Sequence, residues 1–390
     1  MRILFSTDTT VERGKRIKIS DWRDMKNWRI RVVVLACILV AVSAGGLHLM
    51  DNRTIIGTIV KEYAGGYAQP KIATYADGHY YTLDNGYGSS IYDFNMGNRP
   101  DDREFLFRTQ YEEIVDIAAE GKWLVWGGAR DYKERYVVYK AYDVESEQTT
   151  VLKKLNTENV KAYPFVALSH GKAFFVECVY PEKQIIIWQH DLESGQEKEI
   201  YRFDSYEQYK PLIETAGDYL YAPVAMTDGR VRLVEYNIVT GEDRMILLPE
   251  QIDVLFALDY DVESETFALY YRDESKRDET ISLYKETTER LKKIGSINTR
   301  QRMERDKLRF WNGNVLWIEY NRPKVELAEI LCRRKLQIYS LKKGARFTFD
   351  KERVTDYFFD ENNLYCVSVE DDTTHLLNHI DSQIINNDDS

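Results

Sequence analysis

An all-β fold, a seven-bladed β-propeller preceded by a single transmembrane helix, is what the sequence predicts, with six or eight blades as the alternatives. The main observation is a turn that opens a strongly apolar strand. It occurs at Gly78-His-Tyr-Tyr-Thr-Leu, Gly121-Lys-Trp-Leu-Val-Trp, Gly171-Lys-Ala-Phe-Phe-Val, Gly217-Asp-Tyr-Leu-Tyr, Glu265-Thr-Phe-Ala-Leu-Tyr, Gly313-Asn-Val-Leu-Trp-Ile and Asn362-Asn-Leu-Tyr-Cys-Val. Successive starts are 43 to 50 residues apart, which leaves room in each unit for four short strands and their turns.

A second pattern follows the first within the unit. From Gln184 to Phe203 the chain reads as two strands around Asp191, three residues and Gly195. An Asp there can accept hydrogen bonds from the next backbone N–H groups, and Gly can take the positive φ that closes a bulged hairpin. The pair recurs at Asp93 and Gly97 and at Asn237 and Gly241, while Asp143 has Glu147 in place of the glycine.

Runs such as Ala173 to Val176 and Ile185 to Trp188 do not alternate. Both faces of those strands must be buried, as in blades stacked around a ring. A two-sheet sandwich is the competing architecture, and the regular period disfavours it.

Charge divides the chain. Residues 1–31 carry nine Lys or Arg against four acids, while the whole chain has a net charge of −11, so everything after residue 31 is strongly acidic. An acidic body lacks the concentrated basic surface that nucleic acid requires. The basic head directly precedes Val32 to Met50, nineteen residues without a formal charge, which as a helix would span about 28 Å. The expected domains are therefore a basic cytoplasmic segment 1–31, a transmembrane signal-anchor 32–50 and an extracytoplasmic propeller 51–390, with the N-terminus inside a single-pass plasma membrane protein. The competing reading is a cleaved signal ending at the small residues Val42-Ser43-Ala44. Trp22 and Trp28 read as interfacial anchors.

Thr54 to Tyr63 is β-rich and precedes the first complete unit, whereas the last unit supplies only three convincing strands. Pairing of residues 54–63 with Thr374–Ile380 would complete the last blade and close the ring, leaving the extreme C-terminus frayed.

Function is less legible. Loops joining second to third strands vary most, and aromatic and Arg residues there are the usual carriers of interface energy. Tyr87, Trp126, Arg130, Tyr132 and Arg322 are the expected binding residues, on one end of the ring. No catalytic set, metal set or cofactor loop is expected. His375 and His379 lack the intervening Glu of a zinc-hydrolase helix, and no Gly-x-Ser-x-Gly elbow or phosphate loop occurs. Acid neighbours such as Asp259, Asp261 and Glu263 are too common among 64 acids to mark a site by spacing alone. Cys178, Cys332 and Cys366 read as buried or free thiols, with one long-range disulfide open.

The repeated unit, with Tyr236-Asn-Ile-Val-Thr-Gly-Glu242 as its best instance, resembles the TolB-like and quinoprotein-like β-propellers of bacterial envelopes over about residues 54–385. That resemblance implies a fold that serves binding platforms, assembly factors and enzyme domains alike. A regular tryptophan ending each unit is missing, so no quinone cofactor is carried over, and there is no appended hydrolase domain. The expectation is a non-catalytic, membrane-tethered binding or scaffold module for a protein or envelope polymer. The alternative is a carbohydrate hydrolase or lyase with acids in the central funnel.

Overall fold

The computed structural model describes residues 10–12, 15–17, 52–55, 58–64, 73–76, 79–86, 88–95, 103–109, 112–130, 136–156, 165–179, 184–204, 212–225, 230–249, 252–273, 279–287, 290–297, 299, 302–320, 334–351, 353–359, 363–369, 374–381 and 385. The chain divides into two units, Met1–Arg53 and Thr54–Ser390. In the first, β1 (Thr10–Glu12) and β2 (Lys15–Ile17) form an antiparallel hairpin that sets Glu12 opposite Lys15. Three-residue strands are too short to leave a period in the sequence. The apolar segment 32–50 lies outside the described residues, among which no helix is long and apolar enough to cross a membrane.

The second unit is built from antiparallel sheets that follow one another along the chain. β3 (Asn52–Ile55) runs across the boundary at Arg53; after β4 (Thr58–Ala64), the first sheet contains β5 (Ala73–Ala76), β6 (His79–Gly86), β7 (Gly88–Asn95) and β8 (Arg103–Arg108). The next holds β9 (Glu113–Glu120), β10 (Trp123–Arg130), β11 (Tyr136–Asp143) and β12 (Gln148–Asn156). It is followed by β13 (Val166–Ser169), β14 (Lys172–Val179), β15 (Gln184–Asp191) and β16 (Glu197–Asp204). Then come β17 (Glu214–Ala216), β18 (Tyr219–Ala225), β19 (Val231–Asn237) and β20 (Asp243–Leu247). β21 (Ile252–Asp261), β22 (Thr266–Asp273), β23 (Glu279–Glu286) and β24 (Leu291–Ile297) form another sheet. β25 (Arg302–Trp311), β26 (Asn314–Tyr320), β27 (Arg334–Ser340) and β28 (Ala345–Phe349) are joined by β3 as a fifth strand. The last sheet is β29 (Val354–Phe359), β30 (Asn363–Val369), β31 (Thr374–Asp381) and then β4.

Neighbouring sheets pack in chain order, through their inner strands from β5 to β25 and then through β27 against β29, and β29 returns to β5. That ring is a β-propeller. The expectation of uniform four-stranded units is corrected at one place: among the described residues six sheets have the four-stranded form of a blade, and the 302–349 sheet carries a fifth strand. Each apolar start read from the sequence opens the second strand of its sheet.

Closure occurs as expected. β31 pairs antiparallel with β4 from Thr374↔Ala64 to His379↔Thr58. The N-terminal β-rich stretch is divided, however, because residues 52–55 join one sheet and 58–64 the next.

The hairpin turns use the expected chemistry. Asp191 Oδ1 accepts the Ser194 N–H at 2.8 Å, and Gly195 N–H donates to the Asp191 carbonyl at 2.8 Å with φ 70°. Asn237 Oδ1 accepts the Val239 and Thr240 N–H groups, and Gly241 closes the turn in the same way. Glu147 takes φ 55° where the others have glycine. Ser340 and Gly344 repeat the closure with a hydroxyl in place of the carboxylate or amide, a match too loose for the Asp-x3-Gly pattern to detect.

The core lies between sheets. Tyr81 and Ile91 pack with Leu124, Trp126 and Tyr142 of the next sheet, and Phe174 and Ile187 pack with Leu220 and Val234 of the one after. β26 is buried on both faces from Asn314 to Glu319. This is why its sequence does not alternate, and each large side chain so enclosed contributes about 1.5–3 kcal/mol.

Candidate binding site in the central funnel

Antiparallel register decides which side chains meet in the funnel. Two residues before the end of the inner strands β5, β9, β13, β17, β21, β25 and β29 stand Thr74 (opposite Tyr81), Ala118 (opposite Val125), Ala167 (opposite Phe174), Glu214 (opposite Tyr221), Asp259 (opposite Ala268), Arg309 (opposite Leu316) and Tyr357 (opposite Cys366). Small residues therefore occupy one side of the ring at this level, and charged or large ones the other.

Arg309 Nη1 donates to Glu214 Oε2 at 3.0 Å and to the Leu308 carbonyl at 2.9 Å. The Arg309 side chain is 36% exposed and that of Glu214 23%, so the pair is open to the channel and screening limits its strength. Asp259 is buried. Its Oδ1 accepts the Tyr260 N–H at 2.8 Å, and its Oδ2 accepts the N–H of Phe310 in the next sheet at 2.5 Å. Asp116, farther back on β9, accepts the N–H of Val166, again in the next sheet, at 2.9 Å.

Desolvation raises the Glu214 carboxyl to about 8; Arg309 opposes that rise, and Asp259 and Asp116 add to it. Desolvation likewise lifts Asp259 to about 6, against Arg309 and the N–H groups of Phe310 and Tyr260. Desolvation works against the charge of Arg309, but Glu214 and then Asp259 more than offset it and hold the guanidinium protonated. The cluster can hold a polar or charged group or exchange a proton at Glu214. Two of its three carboxylates are also clasps between sheets.

The sequence-derived binding residues fare unevenly. Trp126 is corrected. It lies within β10 with its side chain 1% exposed and its ring stacked on Phe107 at 4.9 Å, because a second strand is covered on both faces. Arg130 is the last residue of β10, paired in register with Tyr136. Tyr87, Tyr132 and Arg322 lie outside the described residues, as do Cys332 and Gly97. Cys366 is buried with a free thiol. His379 meets Asn363 Oδ1 at 3.2 Å and lies beside Tyr365, a packing role. Glu214 and Arg309 were missed by sequence reasoning. The available signal was a charged residue two places before the end of the first strand in three successive units, Glu214, Asp259 and Arg309.

The ring of packed antiparallel sheets around a polar funnel defines a β-propeller. No family model matches the chain, and no curated protein matches it. Solved structures do. The β-propeller domain of the Trilobed protease from Pyrococcus furiosus aligns with TM-score 0.56 and 14% identity over 83% of this chain and 96% of that one. A chain of the Mitotic Checkpoint Complex aligns with TM-score 0.56 and 11% identity over 84% of this chain and 93% of that one. TolB from Acinetobacter baumannii is also found, with TM-score 0.43 and 12% identity over 73% of this chain and 62% of that one. At such identities the likeness is one of fold.

Proposed function

We propose that this chain is a non-catalytic binding or scaffold propeller, tethered by residues 32–50 to the cytoplasmic membrane, with 1–31 inside and 51–390 outside. Counting the five-stranded sheet as a blade makes it a ring of seven. Its ligand is a protein or an envelope polymer. The observation that carries this reading is the employment of the funnel acids: Asp259 and Asp116 are spent on backbone N–H groups of neighbouring sheets, and Glu214 on Arg309. A catalytic carboxyl pair needs both groups free to meet a substrate. Propellers also serve as parts of assemblies, as the similar chain of the Mitotic Checkpoint Complex does. The binding end is formed by the loops between second and third strands, with Tyr87, Arg130, Tyr132 and Arg322.

The test is photo-crosslinking in intact membranes from Tyr132 and Arg322. The expected result is one discrete adduct, lost when Tyr87 and Arg130 are changed to alanine. Absence of an adduct, or recovery of a soluble form beginning at Gly45, overturns the binding surface or the tether respectively.

A second reading, a carbohydrate hydrolase or lyase, is favoured by one observation: Glu214, lifted to about 8, would be protonated at neutral pH and able to act as a general acid. Turnover of envelope glycans abolished by Glu214→Gln would support it.

A further inference from the structure

We infer that the outer edge of β20 is a docking edge, which an extended segment of a partner polypeptide joins as a fifth strand. The reasoning starts with how the other outer strands are protected. β8, β12, β16, β24 and β4 each contain one extra residue against their neighbour: Leu106, Leu152, Ile200, Ile294 and Val60. Such a bulge bends the strand and breaks the run of outward N–H and C=O groups, so a further strand cannot find register.

Two outer strands have no bulge, β20 and β28. The second already carries β3, so this chain itself places a fifth strand where the bulge is missing. Among the described residues β20 carries only an isolated parallel bridge, Leu247↔Arg290, at its end.

The direction of its free groups follows from the hairpin. Asn237 N–H donates to the Glu242 carbonyl, which makes 237 and 242 a hydrogen-bonded pair. By alternation Arg244 and Ile246 bond inward to β19, whereas Asp243 and Met245 turn their backbone groups to the open edge and Leu247 turns its own to the bridge with Arg290. Arg244 is engaged by Glu235 and Glu286. On the other face Met245 is half-buried and Leu247 is 50% exposed. The fitting partner is thus an extended segment with apolar residues at alternate positions beside Met245 and Leu247, held by main-chain bonds. This edge is on the strand of its sheet opposite to the one bearing Glu214, so the inference stands apart from the funnel.

The test uses the full chain and phage-displayed random peptides, followed by synthetic versions of those selected. Peptides with alternating apolar residues should be enriched, and they should protect the Asp243 and Met245 amides from exchange. Met245→Pro removes one outward N–H and leaves the bonds to β19 intact, and it should weaken binding about tenfold or more. Leu247→Lys should also weaken it, while Val151→Lys, at an exposed residue of the bulged strand β12, should leave it unchanged. Should Met245→Pro fail to fold, Leu247→Lys and the amide protection decide. No enriched peptide, equal binding to Met245→Pro, or protection elsewhere than β20 overturns the inference. A failed loop crosslink with successful peptide docking would overturn the loop surface alone.

Discussion

Arg309 reaches Glu214 at 3.0 Å although the inner strand carrying Asp259 lies between theirs in the ring. One guanidinium therefore balances carboxylates from several sheets. Replacing Arg309 by Gln leaves those carboxylates facing one another. The expected cost is about 1–3 kcal/mol, less than for a fully dry pair because the channel admits solvent. Chemical denaturation of the variant checks it.

The same carboxylates set a pH dependence. Glu214 is raised from 4.5 to about 8 and Asp259 from 3.8 to about 6. An acid whose folded value is raised binds more protons in the native state, so stability is highest below the unfolded value and falls as pH climbs. The wild-type chain should lose stability between about pH 4 and 8. Glu214→Gln should flatten the upper part of that slope, above pH 6. Unchanged slopes would show that exposure of the pair to the channel keeps these carboxyls hydrated.

At Glu147 a side chain sits at φ 55°, where Gly195 and Gly241 serve the equivalent turns. A left-handed non-glycine residue costs about 1–2 kcal/mol, partly returned by the chain entropy glycine loses on folding. Glu147→Gly should therefore raise stability by about 0.5–1 kcal/mol, and Gly241→Ala should lower it by at least as much. Melting temperatures of the two variants decide the sign.

Ring closure gives the largest expected effect. Deleting Thr58–Ala64 removes the partner of β31 and bares its edge, so the chain should aggregate or unfold. Removal of Asn386–Ser390 should leave the melting temperature unaltered. Size-exclusion profiles with thermal melts compare the two.

The sheets were legible because their signals are local. Asp191 and Gly195 are four positions apart, and the doubly covered strand from Ala173 to Val176 declares itself by lack of alternation. The funnel was not legible. Glu214 and Arg309 lie far apart in sequence and meet only because register sets both two places from a turn. Trp126 misled for a related reason: it ends an apolar run just before Gly127 and Gly128, where a loop was expected, and its neighbours in space are Phe107 and the adjoining sheet.

The pairing of β4 with β31 sets an order on biogenesis. Once synthesised, β4 must wait, unpaired, until about three hundred further residues have emerged, and joining segments that far apart costs about 5 kcal/mol of chain entropy. The ring thus tests its own completeness. A ribosome that stops early yields a row of sheets with two bare ends, which proteases and chaperones recognise, whereas only the finished polypeptide can hide both at once.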